Sequence, residues 1–221
     1  MKRLVLLLSV FLVACSNDNT PDVSSDKAAA EAVQALQQSG SVDGKALYAA
    51  CAACHGAQGE GNPGLHAPSL ANQQDWYLER QLLGFRSGVR GSHPEDGYGA
   101  QMQAIAKTLA DDAAVKAVVA YIADFKAKPA AKTLEGNIKR GADYYSNLCG
   151  SCHGPAAEGN EKLQSPALAG VDDWYLLKQF NHFRDADQTD RYGYQMGMMG
   201  KTLPNAEIAN DVIAYIQSLA D

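Results

Sequence analysis

Cys51-Ala52-Ala53-Cys54-His55 and Cys149-Gly150-Ser151-Cys152-His153 are two copies of one pattern, 98 positions apart in a chain of 221 residues. On a helix, residues three apart share a face, so each pair of thiols lies one turn apart with an imidazole directly behind it. That spacing lets two sulfurs reach the two vinyl positions of one haem edge while the histidine turns under the iron; C-x-x-C-H is the mark of c-type haem attachment. Two other chemistries use paired cysteines. A structural zinc site needs four ligands, usually from two such pairs, and one built across both copies would leave the matched residues downstream without a role. A thioredoxin-like dithiol belongs beside a βαβ pattern, and no alternating strand pattern occurs here.

Outward from the motifs, the chain reads as a duplication. At the same offset of 98, Pro68 maps to Pro166, Leu70 to Leu168, Trp76-Tyr77-Leu78 to Trp174-Tyr175-Leu176, Gln81 to Gln179 and Phe85-Arg86 to Phe183-Arg184. Further on the offset falls to 94, carrying Gln101-Met102 to Gln195-Met196, Lys107-Thr108-Leu109 to Lys201-Thr202-Leu203 and Tyr121-Ile122 to Tyr215-Ile216. The second copy has therefore lost about four residues in the loop before its methionine. Each copy reads as all-α. Asp43 and Gly44 precede a first helix running into the haem motif. Asp75 or Asp173 can cap a second helix carrying Trp-Tyr-Leu. Asp111-Asp112 and Asn205 open last helices over 113–126 and 206–219, with Val115, Val118, Val119 and Ile122, then Ile208, Val212, Ile213 and Ile216, at helical spacing. Gly44 and Gly141 would let the first helix cross the last closely, beside Tyr48 with Tyr121 and Tyr145 with Tyr215. The expected organisation is a signal peptide over 1–14, a tether over 15–40 with a short helix possible over 26–38, a first domain over 41–128, a linker over 129–135 and a second domain over 136–221.

His55 and His153 are the fifth iron ligands implied by the motif. The carbonyls of Pro68 and Pro166, equally far downstream, could accept the hydrogen bond that orients a ligating imidazole, or each proline could simply shape a loop. For the sixth position, Met102 is the first copy's single methionine apart from Met1, and its repeat partner is Met196. A buried methionine is often a core filler, but Lys-Thr-Leu follows both at one spacing, which points to one geometric job done twice. Both are expected on the loop before the last helix. Met199 is the main competitor in the second copy and Met198 a weaker one. His66, His93 and His182 have no histidine at the equivalent position and are expected in solvent or near haem edges. Arg86 and Arg184 either pair with a haem propionate or are surface charges at a helix end. Trp76 and Trp174, with Tyr77 and Tyr175, are expected to line or pack the haem pocket.

The N-terminus reads as an export signal: Lys2 and Arg3, then an apolar run over 4–13, too short to span a bilayer. It ends at Leu12-Val13-Ala14-Cys15, which resembles a bacterial lipobox with Cys15 as the lipidated residue; the alternative is an ordinary cleaved signal with an incidental cysteine. The five cysteines then divide into one for lipid and four for thioethers, with none left for a disulfide. The net charge of −6, or −8 once residues 1–14 are removed, shows no basic excess for nucleic acid.

The paired motifs, Pro68-Ser69-Leu70-Ala71 with Pro166-Ala167-Leu168-Ala169, the Trp-Tyr-Leu-x-x-Gln segments and a methionine seven residues before Leu109 and Leu203 resemble the cytochrome c4 family over about residues 41–221. That resemblance implies two tandem class I cytochrome c domains, His/Met ligation of two covalent haem c groups, haem edges facing across a pseudo-twofold, and electron delivery to redox partners. Those partners would be a terminal haem-copper oxidase, a quinol-oxidising complex or a periplasmic reductase. Two features depart from the family pattern: the lipid anchor at Cys15, and Ile105 where a second methionine often follows the ligand. The function expected is low-spin, single-electron transfer at a periplasmic membrane surface, with the outer membrane suggested by Ser16. The alternatives are a di-haem enzyme of peroxidase or thiosulfate dehydrogenase type, the latter needing a cysteine ligand that this chain does not have to spare, or a fixed cytochrome subunit of a respiratory complex.

Overall fold

In the computed structural model, residues 42–71, 73–126, 132–185 and 191–220 are described. The signal segment, Cys15, the tether with its possible helix and linker residues 127–131 lie outside them. The described residues form helices joined by loops, with only two isolated β-bridges, Asn62 with Ala67 and Asn160 with Ser165. The first half contains α1 (Gly44–His55), α2 (Asp75–Ser87), α3 (Gly97–Ala106) and α4 (Asp112–Ala123). The second contains α5 (Ile138–Tyr144), a π turn (Tyr145–Cys149), α6 (Gly150–His153), α7 (Asp173–Asp185), α8 (Arg191–Gly200) and α9 (Ala206–Ser218).

The first and last helices of each half cross at backbone contact. A Cβ on Gly141 would stand 2.0 Å from the Asp211 carbonyl oxygen, so only glycine permits this approach. Around the crossings pack two separate apolar cores: Leu47, Tyr48, Val115, Val118, Val119 and Ile122 in one half, Tyr145, Ile208, Val212 and Ile216 in the other. The apolar faces lie where the helical period placed them. Asp111 and Asn205 cap the last helices, accepting from Ala114 N at 2.8 Å and Ile208 N at 3.0 Å.

Three sequence expectations change. The first helix is not the same in both copies: Tyr48 precedes Cys51 by three residues, Tyr145 precedes Cys149 by four, and the extra residue is absorbed as the π turn Tyr145–Cys149. Such one-residue bulges keep a helix continuous on either side. Neither Asp75 nor Asp173 occupies the cap position. Each is the first helical residue, and the positions before them are Gln74 and Asp172, whose carbonyls accept from Leu78 N at 3.0 Å and Leu176 N at 2.9 Å. Asp173 is fully buried and instead clamps the end of the linker, accepting from Thr133 N, Thr133 Oγ1 and Leu134 N at 2.5, 2.6 and 2.7 Å. Finally, Met102 and Met196 stand within α3 and α8 rather than on a loop. Asp96 starts α3 early by accepting from Gly99 N at 3.0 Å.

The halves are joined by polar contacts. Arg80 Nη1 donates to Gln164 O at 3.1 Å, and Arg90 Nη2 donates to the Tyr175 hydroxyl at 2.7 Å and Gln179 Oε1 at 2.9 Å. Lys178 lies 3.7 Å from Asp96 and over the Tyr98 ring. Among the described residues, no helix is long and apolar enough to cross a membrane.

Candidate functional site

The end of α1 presents Cys51, Cys54 and His55, and α6 with the preceding π turn presents Cys149, Cys152 and His153. Cys51 and Cys149 are partly buried while Cys54 and Cys152 are exposed, and none of the four is paired in a disulfide. Burial, with the neighbouring motif cysteine adding to it, pushes the Cys51 and Cys149 thiols up to about 11. A redox-active dithiol has its attacking thiol depressed instead. No group of three or more His, Cys, Asp or Glu residues that could hold a metal ion occurs among the described residues, so the two cysteine pairs do not meet in a four-ligand cluster.

Each histidine is held by one bond. His55 Nδ1 lies 2.8 Å from Pro68 O, and His153 Nδ1 lies 2.8 Å from Pro166 O. A carbonyl only accepts, so Nδ1 carries the proton and Nε2 keeps its lone pair. Burial lowers the pKa of both imidazoles against the opposing effect of the proline bond, which favours the neutral, ligating form. The loop between histidine and proline is the same twice over. Gly61 N donates to His55 O and Gly159 N to His153 O, both at 2.8 Å, and each loop is pinned by its β-bridge. The tyrosine hydroxyls close the turn from behind: Tyr48 to Gly56 O and Tyr145 to Gly154 O, each at 2.7 Å. Gly56 and Gly154 have φ of 85° and 84°, a turn that favours glycine.

Met102 and Met196 are half-buried at the sixth position of α3 and α8, whereas Met198 and Met199 are exposed. Trp76 Nε1 and Trp174 Nε1 are buried donors without a hydrogen-bond partner. Unsatisfied buried donors are rare, and an orphan repeated at equivalent positions marks an acceptor that belongs to the finished site. A haem c group, with its carboxylate side chains, supplies acceptors of this kind, so the residues present fit it. Arg86 Nη2 pairs with Asp112, and its buried Nη1 has no partner. Arg184 pairs with Asp185 at 2.7 Å.

The unmatched histidines gather near the junction of the halves. His66 stacks on Tyr98 at 4.4 Å and meets Trp174 edge-on at 6.1 Å, and His93 faces His182 at 6.1 Å. Sequence reasoning did not single out Arg90, Gln74 or Asp172. Arg90 has no arginine at an equivalent position, and the other two look like ordinary polar residues before a helix; their tasks depend on the opposite half.

Comparison with known proteins agrees with this geometry. The family model described as cytochrome c matches residues 41–126 and again 138–220. The chain is 32% identical to cytochrome c4 of Stutzerimonas stutzeri over 80% of this chain and 87% of that protein. It is 35% identical to a thiosulfate dehydrogenase electron acceptor of Thiomonas intermedia over 68% of this chain and 69% of that one. Its fold matches the structure of Acidithiobacillus ferrooxidans cytochrome c4 with a TM-score of 0.64 and 25% identity, covering 77% of this chain and 99% of that chain.

Proposed function

The chain belongs to the cytochrome c4 family of di-haem electron-transfer cytochromes, and from that premise we propose that it is a carrier with His55 and Met102 on one iron and His153 and Met196 on the other. Two covalently bound haem c groups supply a one-electron Fe(II)/Fe(III) couple at each site. Cys51, Cys54, Cys149 and Cys152 would hold them by thioethers, and the prolines would keep both imidazole rings aimed. The observation that carries the reading is the proximal arrangement built twice, with both Nδ1 atoms 2.8 Å from a proline carbonyl. Met196 is favoured over Met199 because it is half-buried and shares its helical position with Met102, while Met199 is 38% exposed. With a histidine and a methionine holding each iron, neither would offer a substrate site, which favours a carrier over an enzyme. Thioether ligation by methionine also raises the potential relative to two histidines.

Redox proteins are the partners. The net charge of −6 favours those with a basic docking patch, a terminal oxidase, quinol-oxidising complex or reductase among them. The likeness to a thiosulfate dehydrogenase electron acceptor adds a thiosulfate-oxidising donor to that set. Residues 1–14 act as the export signal, residues 15–40 form the tether, and lipid on Cys15 would hold the two haem domains, 41–128 and 136–221, at the periplasmic face of a membrane.

A spectroelectrochemical titration of the purified holoprotein tests the reading. Two one-electron waves are expected, with low-spin spectra and the Met–Fe(III) charge-transfer band for both haems. A high-spin ferric haem, or turnover with peroxide or thiosulfate as substrate, would overturn it.

A further inference from the structure

The peptide unit joining Pro68 to Ser69 faces both halves of the molecule. Its carbonyl accepts from His55 Nδ1, and its N–H donates at 2.7 Å to Oδ2 of Asp172 in the other half. The unit joining Pro166 to Ala167 does the same in reverse: its carbonyl accepts from His153 Nδ1, and its N–H donates at 3.0 Å to Gln74 Oε1. Gln74 and Asp172 are the same repeat position, the residue just before α2 and α7. Each half thus reaches across the junction to the peptide that orients the other half's iron ligand. One relay ends in a carboxylate and the other in a neutral amide.

A peptide is one conjugated group. A negative charge bonded to its N–H moves electron density toward its carbonyl oxygen, since hydrogen bonds in a chain polarise one another. A more basic carbonyl holds Nδ1–H harder and makes Nε2 a stronger donor to iron, as outer partners of a ligating histidine do. Stronger donation and nearby negative charge both favour the ferric state.

We infer that Asp172 is a positioning residue for the haem of the opposite half, lowering that haem's potential through the Pro68–Ser69 peptide, and that Gln74 makes the mirrored contact without the charge. This rests on the electron-carrier reading above. Asp172 is 8% exposed, so its charge is poorly screened by solvent. Burial pushes its carboxyl up and Asp173 adds to the rise, while the Ser69 N–H donating to Oδ2 favours the carboxylate.

The test uses the full-length holoprotein, with potentials read by spectroelectrochemistry and the two histidine Nδ1–H resonances read by NMR in the ferrous state. Asp172→Asn keeps an acceptor for Ser69 and removes the charge. It is expected to raise one wave, leave the other in place, and move the His55 Nδ1–H resonance upfield. Gln74→Glu is expected to lower the other wave and move the His153 resonance downfield, and this arm stands alone if Asp172→Asn does not mature. Gln73→Ala removes a neutral bond across the same junction, Gln73 Nε2 to Ala167 O at 3.3 Å, and is expected to move neither wave. The inference is overturned if Asp172→Asn shifts no wave, shifts a wave without moving the His55 proton, or is matched by Gln73→Ala. Wild-type protein lacking the methionine band would sink the ligand assignment alone, because the Nδ1–H readout does not depend on the sixth ligand.

Discussion

A Cβ on Gly44 would stand 2.1 Å from the carbonyl oxygen of Ala117. The helix that carries the first haem motif therefore rests directly on the backbone of α4, and Gly141 rests likewise on Asp211 in the second half.

Replacing a glycine within a helix by alanine ordinarily stabilises it by about 1 kcal/mol. At these two crossings the added methyl meets backbone that cannot swing aside, and overpacking costs on the order of 1–3 kcal/mol. Gly44→Ala and Gly141→Ala are each expected to lower the Tm of the holoprotein by several degrees, at roughly 2–4 °C per kcal/mol. A thermal scan showing an unchanged or higher Tm would contradict the close crossing.

Substitution of the methionines should divide the spectrum. Met102→Ala and Met196→Ala are each expected to remove about half of the charge-transfer absorbance near the red end of the ferric spectrum, following one thioether per iron. The double variant should lack it entirely, and Met199→Ala should keep it. Loss of half the band in Met199→Ala, with Met196→Ala unaffected, would transfer the ligand role to Met199.

Acid should act through Asp211. This side chain is 2% exposed, and burial alone would push its carboxyl up. The hydrogen bonds from Arg140 and from Asn137 N overcome that and leave it below its ordinary value. A carboxyl depressed on folding contributes stability that is present above the unfolded pKa, about 3.9, and is lost as pH falls through the folded value. Asp211→Asn should therefore lower the urea midpoint clearly at pH 7, and the gap from wild type should narrow below about pH 4. Midpoints measured at pH 7, 5 and 3 check this; a gap of constant size down to pH 3 is the contrary result.

The proposed lipid on Cys15 gives a cell-level prediction. Cys15→Ser should move the cytochrome from the membrane fraction to the soluble periplasmic fraction with both haems attached, because an acyl anchor acts independently of the haem domains. Retention of the variant in washed membranes would assign membrane binding to another surface.

Much of the site was legible in the sequence because its constraints are local or duplicated. Cys51, Cys54 and His55 are placed by helix period alone. Pro68 and Met102 stood out because Pro166 and Met196 recur at matched offsets, and Val115, Val118, Val119 and Ile122 gave the buried face of α4 by spacing. The placement of Met102 on a helix was missed because a glycine-rich stretch, Gly97-Tyr98-Gly99, reads as loop, whereas the Asp96 bond to Gly99 N starts the helix there. The π turn was hidden because a single added residue looks like a loose match rather than a local change in helical hydrogen bonding.

The sequence by itself determined two haem attachment helices, the histidine that follows each cysteine pair and the duplicated all-α frame, since covalent chemistry and helical periodicity act over a few residues. Only the tertiary structure decided what Gln74 and Asp172 do. Each is the residue just before a helix, yet each side chain bonds a backbone N–H of the opposite half, 93 and 103 positions away along the chain. No local pattern encodes such a contact, because it exists only once the two halves have docked and brought a carboxylate to one haem's peptide and an amide to the other's.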